Sequence, residues 1–278
     1  VIKDTIDMVK KNRGIDVKYD ENMSDPKVYK LWWDGNTSGV FQFESAGMVS
    51  FMKELKPDRL EDLIAGVSLY RPGPMDQIPR YVKGKLNPGH NEYTHPALEP
   101  ILNVTYGCMV YQEQVMQIVR DLAGYSLGRA DLVRRAMGKK KLDVMAKERE
   151  IFINGQLDEN GNIVVPGCVR NGIDAESANK IFDEMAEFAK YAFNKSHAAA
   201  YAVVSYRTAY LKAYYPAEFM AATLNSYLGN LDKAPQYIDE CKRLGIQILK
   251  PDINKSFEKF TVEVNKSEAV GKIRFGLG

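Results

Sequence analysis

Apolar residues recur at helical spacing along most of the chain, which predicts a mainly α, multi-helical protein. Residues 3–12 read as a short amphipathic helix. Asp25-Pro26 reads as the N-cap and first position of a second helix running to Trp32-Trp33. Gly35-Asn36-Thr37 breaks the chain ahead of Val40-Phe41-Gln42-Phe43, and Lys56-Pro57-Asp58 opens a helix carrying Leu60, Leu63, Ile64 and Val67. From Arg71 to Pro100 the prediction is loop. Arg71-Pro72-Gly73-Pro74 is stiff turn chemistry, and Pro79, Pro88, Pro96 and Pro100 argue against long elements.

The central third carries the strongest helical pattern. Val115, Ile118, Val119 and Leu122 form one apolar stripe ended by Gly124; Ser126 can cap a next helix with Leu127, Ala130, Leu132, Val133 and Met137, stopping at Gly138. Another helix passes through Met145, Arg149 and Phe152. Residues 154–172 change character, since Asp158-Glu159-Asn160-Gly161-Asn162 followed by Ile163-Val164-Val165 predicts a small hairpin. Asp174 caps a helix with Ala178, Ile181, Phe182, Met185 and Phe188 on one face. After a break at Phe193-Asn194-Lys195-Ser196, a long helix runs from His197 to Tyr215 and ends at Pro216. A further helix reaches Leu228, and Asp232 caps one to Arg243. Ile246–Leu249, Phe260–Val264 and Ile273–Gly276 then alternate like strands, so a small β element is expected at the C-terminus. There is no internal repeat, and no linker long enough to separate two domains.

Composition narrows the class. With 45% hydrophobic and 27% charged residues, the 278-residue chain has enough apolar surface to fold, which excludes disordered and collagen-like classes. A net charge of +2 argues against a nucleic-acid partner when taken as an average. The average misleads. Arg129 to Arg149 holds eight basic residues against three acidic ones, a local +5, and the remainder is −3. Cys108, Cys168 and Cys241 lie far apart without a C-x-x-C pair, which fits a reduced, cytoplasmic protein. His90, His95 and His197 have no metal-ligand spacing, so no metal site is expected in this chain. No apolar run approaches the roughly 20 residues of a membrane span. Val1-Ile2-Lys3-Asp4-Thr5 has neither Met nor a signal-peptide core, and reads as an interior stretch of something longer.

Four clusters carry candidate chemistry. Arg134 and Arg135 fall in the last turn of a helix, with Lys139, Lys140 and Lys141 just beyond it; two guanidiniums and neighbouring ammoniums can grip a polyphosphate. The alternative is a solvated helix end whose cations satisfy carbonyls. In Asn194-Lys195-Ser196-His197-Ala198-Ala199-Ala200-Tyr201, His197 and Tyr201 are four apart with alanines between. They can offer a flat platform to a base, with Lys195 near phosphate; the alternative is a packed helix. Arg71 sits on a rigid Pro-Gly-Pro elbow, an equally good structural turn. Tyr111-Gln112-Glu113-Gln114 offers one carboxylate among amides and no paired acid. No phosphate loop, dinucleotide fingerprint, H-E-x-x-H, G-x-S-x-G or D-x-D pair occurs.

Taken in order, Gly39-Val40-Phe41-Gln42-Phe43-Glu44-Ser45, Tyr70-Arg71-Pro72-Gly73-Pro74, Tyr111-Gln112-Glu113-Gln114-Val115-Met116, Arg134-Arg135-Ala136-Met137-Gly138-Lys139-Lys140 and Phe193-Asn194-Lys195-Ser196-His197 closely resemble the C-family of bacterial replicative DNA polymerases, the DNA polymerase III α-subunit family. Ala198-Ala199-Ala200-Tyr201-Ala202, Tyr215-Pro216-Ala217-Glu218-Phe219-Met220 and Pro251-Asp252-Ile253-Asn254 continue the match over nearly the whole chain, with residues 154–172 looking like a lineage insertion.

The resemblance implies a helical fingers domain at 1–245, with 1–20 as the transition from the palm and 246–278 as the start of the duplex-binding region. It further implies that Arg134 and Arg135 reach the phosphates of the incoming dNTP. Lys139, Lys140, Lys141 and Lys195 would add positive field, and His197, Tyr201 and Asn194 would face the nascent base pair; Arg71 is a weaker candidate, with a scaffold role at least equal. The Mg²⁺-binding acids would belong to the palm, N-terminal to Val1, so this stretch alone should have no catalytic residue and should not polymerise. DNA primer–template and dNTP are the implied partners, with the sliding clamp and other replisome subunits engaging regions outside this chain. The rival reading is a non-catalytic helical nucleic-acid-binding module.

Overall fold

A computed structural model describes residues 1–139, 142–230, 232–265 and 270–278. In chain order come α1 (Ile2–Arg13), α2 (Pro26–Asp34), α3 (Ala46–Leu55), α4 (Leu60–Leu69) and α5 (Ile78–Leu86). The short α6 (Glu99–Leu102) leads to α7 (Gln112–Ala123), α8 (Leu127–Gly138) and α9 (Leu142–Asn154). β1 (Gln156–Leu157) and β2 (Ile163–Val165) precede α10 (Gly167–Arg170), α11 (Ala175–Phe188), α12 (Lys195–Tyr214), α13 (Pro216–Asn225) and α14 (Ala234–Arg243). β3 (Ile248–Leu249), β4 (Thr261–Glu263) and β5 (Lys272–Arg274) follow. The mainly α class with a small C-terminal β element is therefore what the chain adopts.

Local chemistry explains most boundaries. Asp25 accepts from Lys27 N–H at 2.8 Å with Pro26 at the first helical position, Ser126 accepts from Arg129 N–H at 3.3 Å, and Asp174 accepts from Ser177 N–H at 2.8 Å. The 154–172 stretch does form an antiparallel β1–β2 pair.

Three details differ from the pattern. Helix α3 falls where no helix is predicted, although Met48, Phe51, Met52 and Leu55, all buried, stand at i, i+3, i+4 and i+7 behind Ser45, whose side chain accepts from Met48 N–H at 3.4 Å. Helix α5 runs through the expected loop because Pro79 sits in its first turn, where the missing N–H costs no helical bond. Asp232 does not cap α14; Lys233 holds that position without a side-chain cap.

Two compact units divide the chain: Val1–Asp62 with Ala200–Gly278, and Leu63–Ala199. In the first unit, Phe219, Met220 and Leu224 of α13 share a core with Tyr237 and Cys241 of α14 and with Ile246, Phe260, Val262 and Ile273. The three-stranded sheet there has order β3-β5-β4, with β3 parallel and β4 antiparallel to β5. Ion pairs reach into this unit's interior. Arg13 Nε meets Glu218 Oε1 at 2.6 Å, and Lys212 Nζ meets Glu240 Oε1 at 2.6 Å while also donating to the Asn36 and Ser38 carbonyls. In the second unit, Val115, Ile118, Val119 and Leu122 of α7 pack with Ala130, Val133 and Met137 of α8 and with Ile181, Phe182 and Met185 of α11.

Candidate functional site

In the second unit three of the motif segments meet. Tyr111 and Phe193 form a parallel bridge, Gln112 N–H donates to the Phe193 carbonyl at 2.9 Å, and Gln112 Nε2 donates to the Ala192 carbonyl at 3.3 Å. Glu113 follows on α7 and turns its carboxylate to the start of α12. It accepts from Lys195 N–H at 3.1 and 3.2 Å and from Asn194 Nδ2 at 3.2 Å. A carboxylate at a helix N-terminus satisfies orphan amides and complements the dipole. Asn194 Oδ1 accepts from His197 N–H at 2.9 Å, so one amide side chain serves both the helix start and Glu113.

This capping arrangement orients the platform residues. His197 is exposed and stands edge-on to Phe193, with ring centres 5.4 Å apart. The Lys195 ammonium lies 5.3 Å from the buried Tyr111 ring. Arg71 stacks over the other aromatic, its guanidinium 4.5 Å from the Phe193 ring centre. The elbow beneath it requires glycine: Gly73 has φ +101°, and a Cβ there would come within 2.5 Å of the Tyr191 ring. Arg71, Pro72, Pro74, Lys190, Tyr191 and Phe193 line a cleft of about 320 Å³. Gln114, by contrast, is buried scaffold; its Oε1 accepts from Val110 and Tyr111 N–H, and its Nε2 donates to Thr105 Oγ1.

The arginine pair is arranged around an acid. Asp131 Oδ1 accepts from Arg134 Nη2 at 2.6 Å and from Arg134 Nε at 3.1 Å, and Oδ2 lies 2.7 Å from Arg135 Nε. Arg134's hydrogen bond, seconded by the charges of both arginines, holds the Asp131 carboxyl below the usual carboxylate range. Arg134 is half-buried and Arg135 exposed. Lys139 is exposed at the end of α8, where Gly138 approaches the Ala189 carbonyl; a Cβ at Gly138 would lie 3.3 Å from it. Lys140 and Lys141 lie outside the described residues.

Two further cations of the +5 segment are paired with neighbouring side chains. Arg129 meets Glu148 at 3.2 Å and Gln156 Oε1 at 2.6 Å, and Arg149 bonds Asn179 and Asp183.

Tyr201 belongs to the first unit. Its half-buried ring lies 5.2 Å from that of Phe41. Sequence reading left three of the residues around these sites without their partners. Asp131 was legible from its i, i+3 and i, i+4 spacing to the arginines. Glu113 and Phe41 were not, since their partners lie 81 or more positions away. The Mg²⁺ that the resemblance implies has no ligand set here: among the described residues, no group of three or more His, Cys, Asp or Glu is placed to hold a metal ion. Nor, among them, is any helix long and apolar enough to cross a membrane.

Comparison with known proteins gives a consistent result. The family model of the bacterial DNA polymerase III alpha subunit finger domain matches residues 1–160. The DNA polymerase III subunit alpha of Neisseria meningitidis serogroup A is 50% identical over 256 residues, covering 92% of this chain and 21% of that protein. Its counterpart in Thermus aquaticus is 49% identical over 261 residues, covering 92% of this chain and 20% of the relative. That of Pseudomonas aeruginosa is 48% identical over 263 residues, with 92% and 21% covered. The chain thus spans about a fifth of the length of the curated relatives it matches.

Proposed function

Because the chain belongs to the family of bacterial DNA polymerase III alpha subunit finger domains, we propose that it supplies the nucleotide- and base-pair-facing surface of a replicative DNA-directed DNA polymerase. The parent reaction is addition of a deoxynucleotide to a primer 3′-OH with release of pyrophosphate. Its transition state needs the triphosphate aligned and its charge neutralised, which is work for fixed cations rather than for covalent chemistry. The observation that carries the reading is the pair of guanidiniums at the end of α8, held in register by one carboxylate and followed by Lys139.

In this reading Arg134, Arg135, Lys139 and Lys195 face the dNTP phosphates, and Lys140 and Lys141 add charge on the strength of sequence alone. His197, Tyr201 and Asn194 face the nascent base pair. Arg71, stacked on Phe193, serves mainly to brace the Phe193–His197 segment. Residues 1–245 form the fingers, with 1–20 leading in from the palm, and 246–278 begin the duplex-binding region. Catalytic acids and their Mg²⁺ belong to the palm of the parent, a cytoplasmic enzyme acting on primer–template DNA. Its clamp and replisome contacts lie in other regions of that parent.

The test is Arg134→Ala in the full-length polymerase. The expected result is a loss in kcat/KM for dNTP on the order of 100-fold, with primer–template affinity nearly unchanged. A loss confined to DNA affinity, with a shallower salt dependence and normal dNTP kinetics, would instead assign the cluster to a non-catalytic nucleic-acid-binding module.

A further inference from the structure

The base-facing Tyr201 has an aromatic neighbour from a distant part of the chain. The Phe41 and Tyr201 ring centres are 5.2 Å apart with planes inclined 46°, and Phe41 remains 37% exposed. The next residue, Gln42, is exposed and has φ +67°. A left-handed glutamine is strained, and such a conformation persists only where the surroundings over-determine it.

Here they do. Phe41 N–H donates to Thr208 Oγ1 at 3.1 Å, and Thr37 Oγ1 donates to the Phe43 carbonyl at 2.6 Å. The Glu44 carboxylate accepts from Gly39 N–H and from the Tyr237 hydroxyl, and Lys212 Nζ holds the Asn36 and Ser38 carbonyls at 2.9 and 2.8 Å. Gly39, at φ +81°, lies against Phe219, where a Cβ would come within 2.9 Å of the ring. A buried lysine, two hydroxyls and a carboxylate thus force one residue into strain and turn the Phe41-Gln42 pair outward. Fold stability alone would be served better by glycine at position 42.

We infer that Phe41 and Gln42 extend the Tyr201 platform and read the nascent base pair, Phe41 by packing on the base and Gln42 by hydrogen-bonding its minor-groove edge. This rests on the base-pair-facing role proposed above for Tyr201. Gly39–Ser45 contains no cation, so phosphate is not its ligand. A neutral amide that donates and accepts suits a base edge. An enzyme that copies every template base needs a contact common to all pairs. The minor groove provides one, since A·T and T·A present the same N3 and O2 acceptors and the G·C pattern differs only by an added donor.

Single-nucleotide incorporation by the full-length polymerase tests this. Gln42→Gly removes the amide and relieves the positive-φ strain, so thermal stability should hold or rise. The kcat/KM for correct incorporation should nevertheless fall on the order of tenfold, as for one lost hydrogen bond. A 3-deazapurine at the templating position should cost the unaltered enzyme a similar factor and cost Gln42→Gly nothing further. Phe41→Ala should lower kcat/KM, and Phe41→Tyr should restore it. Unchanged kinetics in Gln42→Gly, or a deaza penalty that simply adds to it, overturns the inference. Arg134→Ala in the same assay separates the two levels. If it too leaves dNTP kinetics intact, the fault lies in the polymerase reading; if it alone impairs them, only the role of Phe41 and Gln42 falls.

Discussion

Asp131 Oδ1 sits 2.6 Å from Nη2 of Arg134, inside the fork that the guanidiniums of Arg134 and Arg135 would offer a phosphate. The carboxylate aligns the two side chains and at the same time neutralises part of their charge. Asp131→Asn keeps the shape and removes the competing charge. In the full-length polymerase it should lower the KM for dNTP about fivefold, corresponding to about 1 kcal/mol for one charge-assisted contact. A raised KM would mean that alignment outweighs competition. Steady-state dNTP titrations decide between the two.

Glu113 should matter beyond its own charge. Its carboxylate caps α12, which bears Lys195 and His197. Glu113→Ala should lower stability by about 1 kcal/mol, the ordinary cost of a lost N-terminal cap. It should also lower kcat/KM for dNTP, while Glu113→Gln, which still accepts a hydrogen bond, should recover most of both. Thermal unfolding and incorporation kinetics on the two variants check this.

The Lys212–Glu240 pair is a structural commitment. Lys212 Nζ is fully buried and bonds Glu240 and two carbonyls of the 36–38 turn. Lys212→Met would leave those carbonyls and part of the Glu240 charge without a partner. It should cost about 3 kcal/mol, near the lower end for breaking a buried pair. Denaturant unfolding measures it, and a change below about 1 kcal/mol would contradict the assignment.

Acid should weaken the chain at the Asp174 cap. The Ser177 N–H held by Asp174 lowers the Asp174 pKa below the ordinary carboxylate value. A depressed folded-state pKa contributes stability that is complete above the unfolded value, about 4, and is lost as pH falls through the folded one. The melting temperature should therefore stay level from pH 7 to about 5 and drop below about 4. Asp174→Asn caps comparably, so it should leave the neutral value nearly unchanged and flatten the acid limb. Melting curves across pH test both statements.

Much of the architecture was legible along the chain. Ser126 and Asp174 announced α8 and α11, because a cap acts over three residues and needs no distant partner. The Arg134-Arg135 cluster was legible for the same reason, and so was the acid three positions before it. Helix α3 carried the same local signals and went unpredicted: Met48, Phe51, Met52 and Leu55 form an i, i+3, i+4, i+7 stripe behind the Ser45 cap. Helix α5 escaped because a proline that reads as a breaker is harmless in a first turn.

What the sequence determined by itself was the helical class, most helix boundaries, the focused positive charge and the family to which the motifs belong. Tertiary structure alone decided which carboxylate caps α12, which aromatic stands beside Tyr201, and that Gln42 is held in a left-handed turn. Periodicity and capping are set by neighbours within a few residues. Glu113 with Lys195 and Phe41 with Tyr201 are brought together by packing across 82 and 160 positions, and no local pattern carries that information.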